Sequence, residues 1–242
     1  MTKNFLFQKA IMILVYCFLC ASCEQDDSII ADFSKEALSY HPYPHHNNRG
    51  DLPYNTDNPY DSVGIIHTHI LDAYLSFSHA FTTIEDVQIN IHSIMQEFEL
   101  TDPLRFSEQE YLEIINTPET VWNNLLTTSV FSEVAKDNLK AFREIMMGWE
   151  NKTWSLVYTD LLFYENDVLQ NSSLSQDEKR MILTLTSIVR HSVHYKKGRD
   201  DKDWDISVGN FSGALKGAMA NKDSAVALAL IVALYNEGAI LN

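Results

Sequence analysis

The sequence predicts an all-α fold: a single helical bundle or array with a C-terminal helical hairpin, after a signal peptide and an extended tether. Three observations carry this. Apolar residues recur at three-and-four spacing, helix-start signals follow one another without an alternating strand pattern, and breakers are scarce, with 8 Gly and 6 Pro in 242 residues. The expected organisation is a signal peptide over 1–22, an acylated cysteine and tether over 23–58, and one helical domain over 59–242.

At the start of the chain, Lys3 and Lys9 precede an apolar run over 10–21, followed by Ala21-Ser22-Cys23-Glu24-Gln25-Asp26-Asp27. At a rise of about 1.5 Å per residue this run is too short for a ~30 Å hydrocarbon core, so it reads as the apolar region of a signal peptide. The small pair before Cys23 resembles the processing site of bacterial lipoproteins, although Cys20 stands where that pattern usually has Leu. The resemblance implies acylation of Cys23; the alternative is an ordinary secretory cut near Ser22. Gln25-Asp26-Asp27 resembles the acidic export signal of surface lipoproteins of the Bacteroidota. That implies an outer-membrane address facing the cell exterior, with a periplasm-facing lipoprotein as the alternative. Cys17, Cys20 and Cys23 are the only cysteines, so the processed chain has no disulfide and depends on packing.

Without Lys3 and Lys9 the chain carries 16 basic against 33 acidic residues, a net charge of −17. Such a surface repels phosphate backbones and anionic headgroups, which excludes nucleic acid as a natural partner and leaves the lipid as the only membrane contact. The expected partner is an unidentified protein or small molecule, and no cofactor is expected. Between Glu24 and Asn58 the hydrophobic periodicity disappears, and Pro42, Pro44 and Pro53 favour extended chain, as in a spacer.

From Asp61 onward the helices can be taken in turn. Asp61 is a candidate cap for a helix with Val63, Ile66, Ile70, Tyr74, Phe77 and Phe81 on one stripe. Thr82 with Glu85 has the spacing of a capping box, as do Ser107 with Glu110 and Ser175 with Glu178. Thr117-Pro118 places Pro at a first helical position, and helices are expected over 131–149 and 154–169. Gly209, Gly213 and Gly217 share one helix face, where a second backbone can approach closely. The apolar run over 225–234 supplies that second helix, with the joint near Asn221-Lys222-Asp223. A membrane-inserting, pore-forming use of the hairpin is the alternative, opposed by the charges of Lys216, Lys222 and Asp223.

The candidate chemistry is sparse. His67 and His69 lie two apart, a spacing that diverges on a helix, so His67 is expected inside the fold with a hydrogen bond. His191 and His194 share a helix face and are weak metal candidates. With an acidic third ligand they would give a metal-assisted hydrolase, the enzyme alternative. Their other reading is as donors near a helix C-terminus beside Arg190. No catalytic residue is assigned, because no serine, cysteine or phosphate-loop motif is present.

Asn58-Pro59-Tyr60-Asp61, with Gly64 and His67 following, resembles a signature of uncharacterised exported proteins of the Bacteroidota, from which this chain departs at Thr68. The resemblance implies no activity. Either Asn58, Tyr60, Asp61, Gly64 and His67 form a functional site, or they are a packing motif in which Gly64 allows close approach.

Overall fold

A computed structural model describes residues 52–76, 83–128, 130–197 and 208–240. Among them are nine helices and no strand: α1 (Asp61–Ser76), α2 (Ile84–Glu97), α3 (Glu108–Asn116), α4 (Pro118–Thr127), α5 (Glu133–Met147), α6 (Trp154–Gln170), α7 (Gln176–Lys197), α8 (Val208–Ala220) and α9 (Lys222–Ile240). The fold is all-α, as the sequence predicts. The signal peptide, Cys23, the acidic residues after it, and most of the tether lie outside the described residues.

Local hydrogen bonds explain most helix starts. Ser107 and Glu110 form a reciprocal capping box at α3, and Pro118 occupies the first turn of α4. Ser175 accepts from the Glu178 N–H at α7, while the Glu178 carboxylate accepts from Ser175 N–H and, across the fold, from Ser132 N–H at the start of α5. These bonds outweigh the opposing effect of burial and hold the Glu178 carboxyl down to about 2. The α2 start differs from expectation by one residue. Thr83 caps it and accepts from Asp86 N–H, whereas Thr82 lies outside the described residues. Phe77 and Phe81 also lie outside them.

Two helices are enclosed on every side. Residues 181–191 of α7 are all buried, as are residues 224–232 of α9. The α9 run is apolar all round because α1, α2, α3, α7 and α8 pack about it. Among the described residues no helix is long and apolar enough to cross a membrane.

α8 and α9 form the expected hairpin, joined by Asn221 alone, whose side chain accepts from Ser224 N–H and so caps α9. The loop between α2 and α3 clamps this corner: Leu104 N–H donates to Ser224 Oγ at 2.8 Å, and Asn221 donates to the Asp102 carbonyl at 2.9 Å. A Cβ at Gly217 would strike the Ser224 carbonyl and the Ala225 Cα, both backbone, whereas one at Gly213 would sit 3.3 Å from the Leu228 carbonyl. Gly209 lies in α8, but its surroundings are outside what the structure describes. At the far end of α8, Phe211 joins an aromatic group with Trp122 and Phe142, and Phe142 stacks on Tyr164 at 4.7 Å.

These contacts give unequal costs for the two glycines. Gly217→Ala should destabilise the protein by about 1–3 kcal/mol, because backbone must move and the ~1 kcal/mol helix-propensity gain does not compensate. Gly213→Ala should lie within ~1 kcal/mol of wild type, since its neighbours need yield only slightly. Urea unfolding of both variants checks the difference, and equal midpoints would remove the close-approach explanation.

Candidate functional site

The chain before α1 does not remain spacer to residue 58, as the sequence reading has it. Asn55 and Asn58 are 8% and 2% exposed, so residues 53–58 pack with the body. Both side-chain amides donate to the Glu165 carboxylate of α6, and Asn58 donates also to the Leu183 carbonyl of α7 at 3.1 Å. The Asn58 side chain accepts in turn from Tyr60 N–H at 2.9 Å, which fixes the turn into α1. Tyr54 is pinned by its carbonyl, which accepts from the Tyr158 hydroxyl at 2.6 Å. The physical reason is polar satisfaction: two buried amides need partners, and a buried carboxylate needs donors.

At the centre is Arg190 of α7, fully buried. Its guanidinium donates to Asp61 Oδ1 at 2.7 Å, to Glu165 Oε1 at 3.3 Å, and to the Pro53 carbonyl. His191 is also fully buried, with Nε2 3.3 Å from Asp61 Oδ1 and its ring beside Tyr54. Asp61 is therefore not the expected cap but a first-turn carboxylate directed at α7, because a charged partner holds it more strongly than a solvated helix end does. Burial pushes its carboxyl up. The hydrogen bond from His191 and the charge of Arg190 prevail and hold it below the ordinary value. Burial lowers His191 despite the opposing pull of Asp61, so its imidazole is neutral near pH 7. Tyr54 is raised, first by burial and then by the Asp61 charge.

Gly64 completes the interface. Its N–H donates to Ser187 Oγ at 3.0 Å, and the same hydroxyl donates to the Asp61 carbonyl at 3.0 Å. A Cβ at Gly64 would come within 2.6 Å of both Ser187 and His191, so only glycine permits this approach of α1 to α7. Asn58, Asp61 and Gly64 of the sequence motif thus act together on one interface, and Tyr60 contributes its backbone N–H.

The remaining candidates separate. His67 is 4% exposed but its Nδ1 finds no hydrogen-bond partner, contrary to the expected internal bond. The rotation of α1 carries it past the cluster to a largely apolar pocket bordered by Leu71, Ile188, Phe211 and Leu230. The His194 ring sits edge-on to Trp154 of α6 at 4.9 Å. His191 does not serve an exposed helix end, since it faces α1 from within the core. Among the described residues no three His, Cys, Asp or Glu side chains are placed to hold a metal.

Chemically, the cluster pairs carboxylates with fixed donors, Asp61 and Glu165 with Arg190, and Glu165 also with Asn55 and Asn58. Ser187 spends its hydroxyl on two backbone groups of α1, which leaves it no role as a nucleophile beside His191. Sequence reasoning missed Glu165, Asn55 and Ser187 and misplaced Arg190. The one available signal was Arg190 lying among the apolar residues Ile188, Val189 and Val193. Compared with protein-family models, curated proteins and solved structures, the chain matches none.

Removing one partner of a buried ion pair leaves an uncompensated charge. Arg190→Met should therefore cost about 3–5 kcal/mol in chemical denaturation, and adding Glu165→Gln should recover at least ~1 kcal/mol of that loss. Strictly additive losses in the double variant would mean that the two charges are not coupled.

Proposed function

We propose that this chain is a lipid-anchored helical binding module at the outer membrane, facing the cell exterior, which holds a protein or small molecule rather than transforming one. The anchor reading is supported by the order of Lys3, Lys9, the apolar run, the small pair and Cys23. The net charge of −17 after processing favours partners that are neutral or basic and disfavours phosphate-rich ones.

Binding is favoured over catalysis by one observation in the body. Leu156 and Phe163 of α6 stand two turns apart on the same side and are 55% and 69% exposed, so this helix turns two large apolar side chains outward. The strongest polar cluster, by contrast, is committed to joining the chain before α1, with α1, α6 and α7. In this reading the Asn58-to-His67 motif maintains the fold, and the surface carries the function.

Metabolic labelling with palmitate tests the anchor. Label should enter the wild-type protein and be lost from Cys23→Ala; equal labelling of both would sink the lipoprotein reading. A photo-crosslinking residue at Phe163 on intact cells tests the docking face. It should give discrete adducts that the same residue at exposed Lys140 does not, and identical patterns at the two positions would count against α6.

A further inference from the structure

α1 and α7 carry two histidines each. His67 and His69 come from α1, and His191 and His194 come from α7. Two of them are enclosed almost completely: His191 is fully buried and His67 is 4% exposed. Gly64 brings the helices so close that a Cβ added there would meet the His191 ring at 2.5 Å.

Among the described residues, the charged groups around the pair are unevenly signed. His67 faces His191 and Lys196 from α7. Among the described residues, those of α8 and α9 that line its pocket are Asn210, Phe211, Ala229, Leu230 and Ala233, none of which ionises. Tyr195 also borders its pocket, with the hydroxyl donated to Asp72 of α1. His191 faces Asp61 and His69 from α1 and its neighbour Arg190 on α7. Glu165 of α6 is already bonded by Asn55, Asn58 and Arg190. The fixed positive charge of Arg190 therefore already engages both nearby carboxylates. A proton on either ring adds a second buried cation without adding an anion.

We propose that His67 and His191 make the α1–α7 interface an acid-sensitive latch. In mild acid, proton uptake separates α1 and the segment before it from α7, while the α8–α9 hairpin stays packed. The hairpin helices contain no histidine at all.

The protonation equilibria agree in sign. Burial pushes His67 down to about 3, assisted by His191 and Lys196, and pushes His191 below the ordinary 6.5. Above about pH 6.5 neither the closed nor the opened form binds these protons, and the closed form keeps its full advantage. As the pH falls below that value, opened imidazoles take up protons that the closed ones reject, and the advantage declines. Asp61, held below 3.8, stays ionised through this window and weakens the closed form only at still lower pH. His69, His92 and His194 are lowered too, His194 to about 4, and act in the same direction. The mechanism is the general one by which buried histidines report pH between 5 and 7.

Amide hydrogen exchange of the full chain at pH 7, 6 and 5, corrected for intrinsic rates, tests the latch. The opening constant of α1 amides should rise about tenfold per pH unit for each proton taken up, while amides over 225–232 of α9 change little. His67→Leu should make the α1 rise about tenfold smaller per pH unit, and His67→Gln should do the same where Leu disturbs the packing. An unchanged slope in both variants would overturn the proposal. So would parallel opening of α1 and α9, which is global acid unfolding rather than a latch.

Discussion

A guanidinium with no exposure to water is the constraint around which the segment before α1, α1 itself, α6 and α7 are arranged. Arg190 cannot shed its proton, so its burial is tolerable only if acceptors surround it. Asp61, Glu165 and the Pro53 carbonyl are those acceptors, and they come from three separate stretches of chain. Once Glu165 is drawn inward it needs further donors, which Asn55 and Asn58 supply. One buried charge thus dictates where the segment before α1, α1 itself and α6 must lie against α7.

The α8–α9 hairpin follows a different logic. α8 and α9 approach through glycine and alanine, and their association relies on close backbone contact and apolar burial rather than on charge. α9 has no polar face along residues 224–232 except Ser224, which is satisfied at the corner by the loop between α2 and α3. α7 links the two regions, with Arg190 and His191 toward α1 and apolar residues toward the hairpin. An apolar core of this kind depends little on pH, whereas the polar interface on the other side of α7 depends on it strongly.

Local chemistry was legible where it spans four residues or fewer. The boxes at Ser107 and Ser175 read correctly because the residues that cap also occupy the turn they cap. At α2 the adjacent pairs Thr82-Thr83 and Glu85-Asp86 satisfy the same pattern in two registers, and nothing local chooses between them. Asp61 fits a cap equally well, and only its distant partner on α7 gives it another task. Glu165 had no signature, being one of 33 acidic residues on a helix that otherwise reads as ordinary.

The sequence by itself determined the helical class, most helix starts, the close hairpin of α8 and α9, and the composition that sets the charge of the surface. Each of these depends on spacing along the chain, where the interacting groups are neighbours. The tertiary structure alone decided that Arg190 and Glu165 are interior, that residues 53–58 belong to the body, and that Asn58, Asp61 and Gly64 serve one interface. The physical reason is that burying a charge costs too much without a counterpart, and the counterparts of Arg190 at Pro53 and Asp61 lie more than a hundred residues away along the chain.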